Sequence, residues 1–144
     1  MKTLVVLVFA GLMWTFCSKQ TIVDPGTEEW KYTAMDSSGT TIVTGTISFL
    51  LPDSGSFYGY CSLQKIGNPQ NTGPQSGNRK ITGFAGSNRV SINLNPDQAD
   101  DNVILVVPVK HDQKYILDGT WVWSGFAGII NRGTFILVKS DYED

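Results

Sequence analysis

A chain of 144 residues has room for one core, and a domain of this size buries roughly two thirds of its unfolded surface, enough to be stable without a disulfide framework or a structural metal. Hydrophobic residues at 41% and charged residues at 17% describe a folding globular chain and argue against disorder. The formal net charge of −2, with no basic stripe to neutralise phosphates, argues against a nucleic-acid partner.

At the N-terminus Lys2 precedes an apolar run from Leu4 to Phe16. The run has the length of a signal h-region and falls short of the about 20 apolar residues that span a bilayer as a helix. It ends at Cys17-Ser18-Lys19-Gln20, and this arrangement resembles a bacterial lipoprotein signal with its lipidated cysteine. The resemblance implies a signal peptide over 1–16, acylation at Cys17 and a membrane partner reached through the lipid. An outer-membrane lipoprotein of the cell envelope is the first expectation. An ordinary secreted or periplasmic protein is the second, and an uncleaved anchor the third, because Phe16 stands where a small residue is usual. Residues 17–27, with Pro25-Gly26, read as a tether. With Cys17 lipidated or removed, Cys61 is a lone thiol, expected as a small buried hydrophobe.

After the tether, helical periodicity fails and alternation of apolar and polar residues recurs between turn signals. The first strand is expected near Glu28 to Met35, with Trp30, Tyr32 and Ala34 on one face. Asp36 to Gly39 turns the chain into a second strand, Thr40 to Leu51, whose Val43, Gly45, Ile47, Phe49 and Leu51 share a face. Pro52 to Gly55 leads to a third, Ser56 to Gln64, which sends Phe57, Gly59, Cys61 and Leu63 inward. Gly67 to Lys80, rich in Gly, Pro and Asn, is the longest connection and is either functional or disordered.

The fourth strand, Ile81 to Gly86, and the fifth, Asn88 to Asn95, form a tight hairpin. The sixth, Asn102 to Val109, is apolar on both faces, so its outer face is either covered or an interaction patch. His111-Asp112-Gln113 turns into a seventh strand, Tyr115 to Ser124, with Leu117, Gly119, Trp121 and Trp123 on one face. Phe126 to Asn131 turns back to the eighth, Gly133 to Lys139. Residues 141–144 form an acidic tail beyond a β domain over 28–140.

Eight strands with mostly short connections predict an all-β antiparallel up-and-down barrel, which removes the edges of an open sheet. A two-sheet sandwich is the alternative. Gly45, Gly59, Gly83 and Gly119 fall inside strands, where they permit strong coiling. Trp30 after Gly26-Thr27, the segment Asp118-Gly119-Thr120-Trp121 and the run from Gly133 to Lys139 resemble the calycin group of lipocalin-like and avidin-like barrels. That resemblance implies the architecture of a calycin-like barrel.

Closure is expected to pair the first strand with the last and to bring the Lys139 ammonium over the Trp30 indole. Such an interior either fills with side chains or holds one small ligand. Trp30, Tyr32, Phe49, Phe57, Trp121 and Trp123 are the aromatic candidates for a cup binding a small apolar or aromatic molecule, with plain core packing as the competing role. The loop from Gly67 to Lys80 would then serve as a lid.

Other chemistry is weakly signalled. Asp97, Asp100 and Asp101 with Asn95 and Asn102 lack the alternating ligand pattern of a calcium loop and read as a solvated turn, so no metal or other cofactor is expected. His111 and Asp112 are adjacent, and adjacent side chains on extended chain point apart, which argues against a catalytic dyad. With no phosphate loop and no nucleophile turn, the expectation is a non-enzyme: a ligand-binding envelope barrel, or a filled barrel that meets an unidentified protein.

Overall fold

A computed structural model describes residues 27–67, 69, 72–109 and 114–142. The signal segment, Cys17, the tether before Thr27, the His111 to Gln113 turn and the last two residues lie outside the described residues. Among the described residues no helix is long and apolar enough to cross a membrane.

The strands are β1 (Glu28–Met35), β2 (Thr41–Phe49), β3 (Gly55–Lys65), β4 (Gly77–Ala85), β5 (Arg89–Asn93), β6 (Asp101–Pro108), β7 (Ile116–Gly125) and β8 (Gly128–Lys139). Each pairs antiparallel with the next, and β8 returns to β1 to close a barrel. The single closed sheet decides against the sandwich. Its seam runs from Trp30 opposite Lys139 to Met35 opposite Thr134, so neither terminal strand presents a free hydrogen-bonding edge.

Alternation builds the interior. β3 reads buried at Phe57, Gly59, Cys61 and Leu63 and exposed at Tyr58, Tyr60 and Ser62, as a pleated strand with one wet face requires. β6 buries Val103, Leu105 and Val107, while Ile104 and Val106 on its outer face stay partly exposed. Gly83 of β4 faces inward with no side chain, and a Cβ there would lie 2.1 Å from the Phe57 ring. The missing side chain is the space into which Phe57 packs.

Two strands start well before the expected residue, while the other boundaries shift only slightly. β4 starts at Gly77, because Leu63 pairs with Gly77 and carries the ladder through Asn78 and Arg79; those polar residues stand at the rim, where alternation is weak. β8 starts at Gly128, since Ile129 to Arg132 pair with Ser124 to Val122 across an irregularity at Trp123/Ser124. Both faces of that tip meet solvent, so it lacks the pattern that marks a half-buried strand.

The meander sorts the connections onto two rims. The β1–β2, β3–β4, β5–β6 and β7–β8 turns share one rim. The other rim carries the remaining turns, the start of β1 and the end of β8. There Lys139 lies opposite Trp30 in the ladder as expected, yet its ammonium does not settle on the indole. Lys139 Nζ donates to Glu28 Oε1 at 2.6 Å and stands 5.9 Å from the Tyr115 ring centre. A full negative charge within reach outcompetes the quadrupole of a ring buried in the core. The same hydrogen bond holds the Lys139 ammonium above the ordinary lysine range.

Candidate functional site

All six aromatic candidates line the inner surface of the barrel, at two levels. Toward the rim with the chain ends, Trp30 stacks on Phe49 at 5.6 Å and Phe49 on Phe57 at 5.3 Å. Toward the other rim stand Tyr32, Trp121 and Trp123. Tyr32 packs on Phe135 at 5.9 Å. Trp121 is fully buried and its Nε1 donates to Met35 O at 2.9 Å. The half-buried Trp123 donates from Nε1 to Asp101 Oδ1 at 2.6 Å. Of these three indoles only Trp30 keeps a buried N–H with no acceptor, an uncommon state for a buried donor.

In the β3–β4 connection, Thr72, Gly73 and Gln75 fold into the mouth at this rim. Gly73 adopts a φ of +64° and lies flat on Trp123; a Cβ there would sit 2.7 Å from the indole Cγ. Only glycine combines that backbone conformation with so close an approach. Two residues on, Gln75 is fully buried. Its Oε1 accepts from the Tyr32 hydroxyl at 2.6 Å, and its Nε2 donates to Thr72 O at 2.8 Å. A buried carboxamide in a loop is costly unless both ends are paired, and here both are. Arg79, at the foot of the loop, donates to Ser76 O and to Asn95 Oδ1, tying the loop to the β5–β6 turn.

Burial, then the nearby Cys61, pushes the Tyr32 phenol well above the ordinary tyrosine range. The hydroxyl therefore remains a donor at any physiological pH. Desolvation likewise raises the Cys61 thiol to about 11, with the Arg79 cation opposing it. Thiolate is the reactive form, so Cys61 should be inert toward Ellman's reagent at pH 8 in the folded protein and react once urea unfolds it. Rapid labelling of the native protein would contradict that burial. The linkage has a definite sign: the folded pKa lies above the ordinary value of 9.0, so this stabilising contribution is present below pH 9 and is lost as pH rises through about 11.

The oxygen-rich β5–β6 loop uses its groups on itself. Asn93 Nδ2 donates to Asn102 Oδ1, Asn95 Nδ2 to Asp101 O and Asn102 Nδ2 to Ala99 O, while Asp101 serves Trp123. Among the described residues no group of three His, Cys, Asp or Glu side chains could hold a metal ion. Sequence reasoning marked the long loop but missed Thr72, Gly73 and Gln75 as its working residues. A glutamine in a polar loop carries no signal of burial until its partner 43 positions away is known.

Fold and site together define a closed antiparallel barrel whose mouth is plugged by a polar side chain of its own loop. The crystal structure of rhizavidin is a solved structure similar to it, at 12% identity over 85% of this chain and 87% of that chain, with a TM-score of 0.45. No family model matches the sequence, and no curated protein matches it.

Proposed function

We propose that this protein is an exported, lipid-anchored envelope protein that binds a small, uncharged, planar molecule in the barrel mouth lined by Tyr32, Trp121 and Trp123. It binds the molecule without transforming it. One observation carries the reading: Gln75, a loop residue, occupies the mouth with its carboxamide oxygen on the Tyr32 hydroxyl. The loop thus fills the cup in the way a guest would, and a guest with a carbonyl oxygen and a flat apolar body could replace it, with Trp123 as its platform. Anchoring rests on the Cys17 signal alone; a single acyl chain binds a membrane only marginally, so stable attachment needs more than one.

Native mass spectrometry of the protein from its host tests anchor and guest together, since acyl chains and a retained molecule add separate masses. In parallel, N-phenyl-1-naphthylamine should quench tryptophan fluorescence saturably, and Gln75→Ala should tighten binding by removing the resident competitor. An unmodified Cys17 would remove the anchor from this reading. Absence of saturable quenching in both proteins, with no retained mass, would leave the filled barrel, a reading favoured by the interlocked stack of Trp30, Phe49 and Phe57.

A further inference from the structure

The outer surface carries a second concave region, on the wall formed by β3, β4, β5 and β6. A groove of about 380 Å³ runs over Tyr58, Thr82, Phe84, Asn93 and Ile104, with Ser56 and Ser91 on its sides. A second groove, of about 630 Å³, continues from it toward the β4–β5 turn, sharing Phe84 and Ser91 and adding Ser54, Ser87, Asn88 and Arg89. The ladder explains the composition. Tyr58 lies opposite Thr82, Thr82 opposite Asn93 and Asn93 opposite Ile104, and the next outward row runs Ser56, Phe84, Ser91, Val106.

The lining departs from what a water-facing barrel wall needs. Tyr58 is 80% exposed and Phe84 54% exposed. They are diagonal neighbours on adjacent strands, by ladder geometry about 7–8 Å apart, so each can carry its own flat ring. Beside them stand hydroxyls of Ser56, Thr82 and Ser91 that no group among the described residues takes up. Across both grooves the one charged lining residue is Arg89.

We infer that this continuous groove binds a neutral oligosaccharide chain, laid over Tyr58 and Phe84 with its hydroxyls paired to the serine and threonine side chains beside them. Sugar rings present polarised C–H bonds that suit the negative face of an aromatic ring. Their hydroxyls both donate and accept, as Ser and Thr do. The near absence of charge disfavours a phosphorylated or nucleic-acid ligand, which needs several cations. The interspersed hydroxyls and the concavity disfavour an isologous contact with a second copy, whose centre would be depleted in serine. The inference is independent of the barrel mouth.

Affinity electrophoresis of the full-length mature protein tests it, in gels containing soluble starch, laminarin, xyloglucan or galactomannan, followed by calorimetry with a hexasaccharide of the retarding polymer. Retardation is expected in at least one gel. Tyr58→Ala and Phe84→Ala should each weaken binding about tenfold, within the range of one aromatic contact. Tyr60→Ala, equally outward on β3 but outside the groove, should bind within twofold of wild type, as should Gln75→Ala. Circular dichroism confirms that each variant keeps its barrel. No retardation in any of the four gels would overturn the inference, as would binding indifferent to both groove substitutions. Sedimentation showing a dimer that Tyr58→Ala dissolves would assign the surface to a second copy instead.

Discussion

Trp121→Ala lowers the free energy of unfolding by about 3–5 kcal/mol, the range for removing a large aromatic side chain from a packed core, and a urea denaturation curve reads the loss. Trp121 is fully buried, so no surface relaxation offsets the cavity left behind. Its position adds to the cost. The indole of this β7 residue lies across Gly133, its ladder partner on β8, and reaches Met35 O on β1. A Cβ at Gly133 would stand 2.7 Å from the indole Nε1, so the glycine is what lets the ring cross the strand. One side chain thereby ties three strands at the closing seam, and its loss also leaves the Met35 carbonyl without that donor. A cost below about 1 kcal/mol would mean that the site collapses around the deletion.

Tyr32→Phe costs about 1–3 kcal/mol, the penalty for leaving a buried polar group unsatisfied. The substitution keeps the ring that packs on Phe135 and removes only the hydroxyl, so Gln75 Oε1 loses its donor in a fully buried place. The cheapest response is for the loop to leave the mouth and return Gln75 to water. Trp123, covered by Gly73, would then be uncovered, and acrylamide would quench its fluorescence more strongly. The double variant Tyr32→Phe/Gln75→Leu, which removes both partners, should recover part of the stability, and the cycle isolates the coupling. If the double variant is as unstable as the sum of the singles, the pair is not what holds the loop. Equal acrylamide quenching in Tyr32→Phe and wild type would show that the loop stays shut without it.

Local chemistry was legible wherever a strand has one wet face. The alternation through Phe57, Cys61 and Leu63 places Cys61 in the core without any tertiary information, and the chain there is exposed and buried in strict turn. The order of eight strands with short turns carries the closed meander, because residues in an amphipathic strand must share one interior and unpaired edges are unfavourable. The rim was less legible. β4 and β8 begin earlier than the pattern indicates, since Asn78, Arg79, Ile129 and Ile130 pair in the ladder without one buried face to mark them.

By itself, then, the sequence determined most of the strands and their inward aromatic set, because period-two burial is a local property of extended chain; the choice between a closed barrel and a sandwich fell to the pairing of first strand with last. Tertiary structure alone decided what those aromatics meet. It chose Glu28 over Trp30 as the partner of Lys139, and it brought Gln75 to Tyr32 and Gly73 to Trp123. It also laid Tyr58 and Phe84 beside hydroxyls from three strands along one groove. These contacts join residues far apart in the chain. Their energies depend on desolvation and on distances that only barrel closure sets.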